Sequence, residues 1–186
     1  VEPGIVQEKL NAHLEPYGFF FPPDPGSSAM CTLGGLIANN GSGMRSVKYG
    51  TTRNYVLALE VVLADGTVIN TGSKTMKSVA GYSLTDLFVG SEGTLGIITK
   101  ATLKVRALPK ERSVLLASFE NPELAGKAVV KVLSSGIIPS ACEILDSNII
   151  QAINAYDPHI GLPQAGAILL FEVDGTENTV REGIEM

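Results

Sequence analysis

The chain has 186 residues, 45% of them hydrophobic and 18% charged, with a formal net charge of −5. That length admits one domain or one and a half, and the apolar content supports a packed core, which excludes a disordered chain. The acidic balance argues against a nucleic-acid partner, and no apolar run or basic-hydrophobic leader points to a transmembrane segment or export, so a cytoplasmic protein is expected.

Residues 1–5 read as the tail of a strand turning at Pro3-Gly4, as though the pattern began upstream. Val6, Leu10 and Leu14 follow at i, i+4 and i+8, predicting a helix that Pro16 and Gly18 end. Phe19, Phe20 and Phe21 form a short apolar run halted by Pro22-Pro23. The next stretch, residues 22–50, organises the chain: PPDPGSSAMCTLGGLIANNGSGMRSVKYG. Its glycines permit close backbone approach, and its Ser, Thr and Asn supply short donors of the kind that line anion-binding loops. Leu33, Leu36, Ile37 and Ala38 add an apolar segment that a solvated linker would lack, so the stretch reads as a loop that cradles a phosphate-bearing ligand.

Residues 55–63 (YVLALEVVL) predict a strand, Ala64-Asp65-Gly66 a hairpin turn and residues 67–71 the returning strand, paired antiparallel. Residues 72–77 are polar and expected to be exposed. Ser83 is placed to cap a short helix, with Asp86 in the reciprocal position and Leu84, Leu87 and Phe88 on one face. Residues 90–96 (GSEGTLG) form a second glycine-rich turn, which feeds a strand over residues 97–105.

A boundary falls at residues 107–110, after which strands and helices alternate. Strands are expected at residues 114–119, 137–145 and 167–173. Between them lie a helix capped by Asn121 with Pro122 first and Gly136 last, and one capped by Asp146 or Ser147. A final helix opens at Thr176 or Asn178 and runs to Met186. Such alternation predicts helices laid on one face of a sheet.

Cys31 and Cys142 are far apart, as are His13 and His159, and neither pair has the spacing of a disulfide framework or a metal site. The run GSGMRS at residues 41–46 approaches the G-x-G-x-x-G dinucleotide fingerprint. It lacks the preceding buried strand and the following long helix, and Glu60 sits in mid-strand rather than at its end.

Three blocks together, residues 22–50, the VLALEVVLADGTVINTG run and the AGYSLTDLFVGSEGTLGIITKATLKV run, resemble the FAD-linked oxidases of the vanillyl-alcohol oxidase and p-cresol methylhydroxylase superfamily. Within it they are most similar to the branch holding the glycolate oxidase FAD subunit and the D-lactate dehydrogenases. The resemblance implies an α+β fold: residues 1–108 as the second subdomain of a PCMH-like, type 2 FAD-binding domain, and residues 109–186 as the start of an α/β cap domain. It implies FAD as cofactor, held without a covalent bond because neither His13 nor His159 lies in a matching block. The implied contacts are Asp24, Pro25 and Ser28 toward the flavin and ribityl region, and Thr32, Gly34 and Gly35 toward the isoalloxazine and pyrophosphate. Asn39, Asn40, Gly41, Ser42 and Gly43 continue that wall, and Glu92, Gly93, Gly96, Ile97 and Ile98 reach the adenine end. Leu36 stands where members often carry Asn, which would remove one flavin-side hydrogen bond.

The activity so implied is oxidation of a small-molecule 2-hydroxy acid, glycolate or D-lactate, with an electron-acceptor subunit as candidate partner. No residue here is read as the catalytic base and no metal ligand is assigned. The stretch reads as a middle piece of such an enzyme, expected to hold little FAD by itself. The alternatives are a truncated noncatalytic module and an ether-lipid synthase of the same superfamily, whose loop carries a run like Ser42-Gly43-Met44. Of two glycines in polar surroundings, Gly35 is expected to reject valine because it touches the cofactor, and Gly72 to accept it because it faces water.

Overall fold

The structure, a computed structural model, describes residues 1–185, and the chain divides into two units, Val1–Leu108 and Pro109–Met186. The first unit begins at the edge of a sheet, where Val1 and Ala101 exchange backbone hydrogen bonds of 2.8 and 2.9 Å. Helix α1 (Gln7–Leu14) follows, and a 3-10 turn (Glu15–Tyr17) stops at Gly18, whose φ of 76° needs glycine. Strand β1 (Phe19–Phe20) carries the chain to the glycine-rich stretch.

That stretch is not all loop. It holds helix α2 (Leu33–Ala38) and the single turn α3 (Ser46–Tyr49). Glycine lowers helix propensity by about 1 kcal/mol per residue, and six residues are too few to stand alone in water. Burial decides instead: Leu33 and Leu36 pack with Leu10, Phe21 and Tyr55, while Ile37 enters the neighbouring cluster. Leu36 is therefore a core residue, and its side chain does not stand in for a flavin-side donor.

The sheet of the first unit has the order β3-β2-β4, all antiparallel, from β2 (Val56–Val62), β3 (Val68–Gly72) and β4 (Ile97–Leu103). The hairpin between β2 and β3 turns at Gly66, φ 84°, and the Asp65 carboxylate accepts the Thr67 N–H at 2.9 Å. Val56, Leu59, Val61 and Ala101 face the core with Ile37, Phe88 and Val89. The parity change between Val56 and Leu59 coincides with a bulge at Val56/Ala58. Glu60 lies in mid-strand because it finds Lys100 at 3.0 Å and the Thr99 hydroxyl at 2.8 Å on β4.

Helix α4 (Leu84–Phe88) turns a different face inward from the one expected. Leu84 and Leu87 are 45% and 57% exposed, and Phe88 is buried beside Thr85. The Thr85 hydroxyl meets that of Thr71 on β3 at 2.9 Å, a buried polar contact that sets the rotation of the helix. Strand β5 (Arg106–Ala107) closes the unit by pairing with β1.

The second unit runs β6 (Glu111–Phe119), α5 (Pro122–Ser134), β7 (Ala141–Asp146), α6 (Ser147–Tyr156), β8 (Ala167–Gly175) and α7 (Glu177–Glu185). The expected end of α7 at Met186 lies outside the described residues. The sheet order is β6-β8-β7, again antiparallel. Ala125, Ala128, Val129 and Val132 of α5 pack on Leu169 and Phe171 of the central strand, and α7 brings Gly183 against Val173 on the same face. The helix starts are capped as expected: the Asn121 side chain accepts the Leu124 N–H and that of Asp146 accepts the Ile149 N–H, each at 2.9 Å. Asn121→Ala should therefore cost about 1 kcal/mol, read as a lower unfolding midpoint in a thermal melt. An unchanged midpoint would show that Pro122 alone starts the helix.

Candidate cofactor-binding site

Two limbs and a helix make the site. The first limb leaves the core at Pro22 and Pro23, both buried, and is tied to α1 by Gln7, whose side-chain amide donates to the Pro23 carbonyl at 2.7 Å. It then winds through turns: Ser28 N–H donates to Pro25 O at 2.9 Å, Met30 N–H to Ser27 O at 2.8 Å, and Glu8 N–H to Ser28 O at 3.2 Å. At its tip the N–H groups of Gly26, Ser27 and Ala29 have no acceptor among the described residues, and a Cβ on Gly26 would meet no atom within 4 Å.

Helix α2 presents two unlike stripes. Leu33, Leu36 and Ile37 are buried, while Thr32, Gly35 and Asn39, spaced three and four apart, are exposed. The Thr32 hydroxyl caps the helix by accepting the Gly35 N–H at 3.3 Å. A Cβ on Gly35 would touch only that hydroxyl, at 3.5 Å, and otherwise point into open space. Gly34 differs: its Cβ would lie 2.7 Å from Pro3 Cβ, so this glycine lets the chain start pass close by.

The second limb, Asn39 to Gly43, folds back on the protein. Asn40 takes φ 49°, and its side-chain oxygen accepts the Arg53 N–H at 2.9 Å. Gly41 O accepts both the N–H and the hydroxyl of buried Thr52, at 3.1 and 2.7 Å. A Cβ on Gly41 would lie 2.5 Å from Leu36 Cδ1, and one on Gly43 would lie 2.0 Å from Asp24 O. Ser42, between them, is exposed.

The second glycine block joins this limb directly. Gly90 N–H donates to Ile37 O and Glu92 N–H to Ala38 O, each at 3.0 Å, so residues 90–92 seal the C-terminal carbonyls of α2. Glu92 itself takes φ 52°, and exposed Gly93 has open space where a Cβ would sit. Gly96 is packed on β2, its Cβ position 2.8 Å from Val62 O. Ile97 is exposed and Ile98 partly buried at the start of β4.

Apart from partly buried Asp24, Pro25, Asn40 and Ile98, the expected residues fall into two kinds. Ser28, Thr32, Gly35, Asn39, Ser42, Glu92, Gly93 and Ile97 offer accessible surface, whereas Gly34, Gly41, Gly43 and Gly96 are required by close packing within the chain. A flavin dinucleotide fits the accessible set. The tip of the first limb has unpaired donors, and the Thr32–Gly35–Asn39 stripe has no side chain larger than Asn and a gap at Gly35 that any Cβ would fill.

Two arginines that no sequence motif marks also hold the site together. Arg45 Nη1 pairs with Asp24 Oδ2 at 2.6 Å, both side chains 20% exposed. Burial pushes the Asp24 carboxyl above its ordinary value, and the charge and hydrogen bonds of Arg45 draw it back only in part. Arg53 donates to Asp86 O and Val89 O at the end of α4, at 2.5 and 2.6 Å. The one sequence signal was a basic residue just after each run of glycine or Thr, at MRS and TTRN. Among the described residues no cluster of three His, Cys, Asp or Glu side chains is placed to hold a metal ion. Nor is any helix long and apolar enough to cross a membrane.

Comparison with known proteins bears on both units. Residues 1–72 match the family model for an FAD binding domain, and residues 108–186 match that for the C-terminal domain of FAD linked oxidases. Over all 186 residues the chain is 47% identical to the glycolate oxidase subunit GlcD of Bacillus subtilis, covering 39% of that protein. It is 42% identical, along its whole length, to a probable mitochondrial D-lactate dehydrogenase of Danio rerio, covering 37% of it. The chain therefore spans about two fifths of the length of these relatives. Among solved structures, an alkyldihydroxyacetonephosphate synthase superposes with a TM-score of 0.80 at 26% identity, over 99% of this chain and 36% of that one.

Proposed function

This chain belongs to the FAD-linked oxidases, and from that membership we propose that it is the cofactor-holding segment of an enzyme that oxidises a 2-hydroxy acid such as glycolate or D-lactate. Its cofactor is FAD. Bound FAD supplies the two-electron oxidising chemistry that turns a 2-hydroxy acid into the 2-oxo acid, and the protein supplies binding and orientation.

In this reading residues 1–108 are part of the FAD-binding domain and residues 109–186 the start of the cap domain. Asp24, Pro25 and Ser28 set the first limb toward the flavin. Thr32, Gly34 and Gly35 let the backbone of α2 lie against the ring system and pyrophosphate, with Asn39, Asn40, Gly41, Ser42 and Gly43 continuing the wall. Glu92, Gly93, Gly96, Ile97 and Ile98 hold the adenine end. The observation that carries the reading is the open stripe Thr32–Gly35–Asn39, where an exposed glycine on a buried helix leaves room for a flat ligand. The electron acceptor is a partner subunit, and the compartment is the cytoplasm, in keeping with two free cysteines, Cys31 and Cys142.

A second reading, ether-lipid synthesis, is favoured by the superposition on the synthase. The identities of 47% and 42% to the hydroxy-acid enzymes, against 26% to the synthase, favour the first. The full-length protein should purify yellow and reduce an artificial acceptor dye when given glycolate or D-lactate. Flavin without turnover of any 2-hydroxy acid would shift the choice to the synthase reading, and protein without flavin would overturn both.

A further inference from the structure

An ion pair joins the two limbs of the site. Asp24 opens the first limb and Arg45 follows the second; their side chains meet at 2.6 Å, largely out of water. Directly beneath, Gly43 lies so near Asp24 that no Cβ fits, and Ser46 fixes the turn by donating its hydroxyl and its N–H to Gly43 O. The first limb is also held to α1 on one side, where Gln7 donates to Pro23 O and Cys31 O and Glu8 donates to Ser28 O, while the N–H groups of Gly26, Ser27 and Ala29 have no acceptor among the described residues. An ion pair stacked on a close glycine contact thus ties the second limb to the first at Asp24.

We infer that Arg45 is a positioning residue for the cofactor: by clamping Asp24 it holds the first limb at the distance from the Asn39–Gly43 limb at which the amides at the tip can engage a flavin dinucleotide. This rests on the FAD-binding reading above. Arginine suits the task because its planar fork can hold a carboxylate with more than one donor, which a lysine ammonium does with less geometric definition. Without Arg45 the Asp24 carboxylate would be buried beside no cation from the second limb, and the limb would move outward to reach water.

The test uses the full-length protein, stripped of flavin and reconstituted with FAD. Arg45→Gln should raise the FAD dissociation constant by about tenfold or more, a loss of one or more hydrogen-bond equivalents. It should also alter the visible circular dichroism of the bound flavin, which reports how the ring is held. Arg45→Lys keeps the charge and should stay within about threefold of wild type. Asp24→Asn tests the same clamp from the other limb if Arg45→Gln folds poorly. A lower apoprotein melting temperature with unchanged FAD affinity and unchanged visible dichroism, in either variant, would make the pair merely structural and overturn the inference. Wild-type protein that takes up no FAD would overturn the functional reading itself, and this inference with it.

Discussion

Full-length protein carrying Gly72→Val should lose about 3–5 kcal/mol of stability, whereas Gly35→Val should fold with nearly wild-type stability and lose its flavin. The two sites look alike in sequence but not in space. Gly72 ends β3 opposite Ala58 with φ 71°, a conformation that a β-branched residue adopts only under strain. A Cβ there would lie 2.1 Å from Leu57 O, 2.6 Å from Thr85 Oγ1 and 3.0 Å from Ala58 Cα. The first and last of these are backbone atoms of β2, so the sheet itself would have to open. At Gly35 φ is not positive, and the only neighbour is the capping hydroxyl of Thr32 at 3.5 Å. Valine is accommodated there, and its methyl groups fill the gap left for the ligand. Thermal melts of the two apoproteins, with flavin content per chain, separate the effects. A Gly72→Val protein within about 1 kcal/mol of wild type would show that the sheet edge yields more easily than packing implies.

Arg53→Met should cost about 2–3 kcal/mol and loosen both glycine blocks together. Its guanidinium is the charged donor for two carbonyls at the end of α4, while its own N–H holds the Asn40 side chain that begins the second limb. The next residues along, Gly90 and Glu92, seal the last carbonyls of α2. Losing the guanidinium frees the α4 end, and amide exchange at Gly90 and Glu92 should accelerate in step with the fall in stability. Flavin retention should drop as well, because the wall at residues 39–43 and the turn at residues 90–93 no longer keep a fixed separation. Exchange that speeds up at Gly90 but leaves flavin retention intact would place the tie outside the cofactor site.

Much of the fold was legible in short stretches. The β2–β3 hairpin follows from Asp65-Gly66 between two apolar runs, and the start of α5 from Asn121-Pro122. The antiparallel order needed no more than the shortness of the connecting turn. Each of these is written in neighbouring residues, because hydrogen bonds of turns and caps span two to four positions. The family resemblance was legible too, since its blocks are contiguous.

Helix α2 reads as loop in the sequence because its propensity is poor and its stabilisation comes from Leu10, Phe21 and Tyr55, side chains supplied from elsewhere in the chain. The face of α4 followed Thr71 rather than the leucine spacing. Which glycine tolerates a side chain was decided by Leu57 and Thr85 in one case and by open space in the other, so composition ranked Gly35 and Gly72 without the atoms that matter. Arg45 and Arg53 reach partners 21 to 36 positions away, beyond any local pattern. Sequence alone determined the β2–β3 hairpin, the capped helices of the second unit and the kind of cofactor, because local hydrogen bonds and contiguous blocks carry that information. Only the tertiary structure decided which residues are open to a ligand and which are consumed in holding the site, because that depends on atoms brought close by folding.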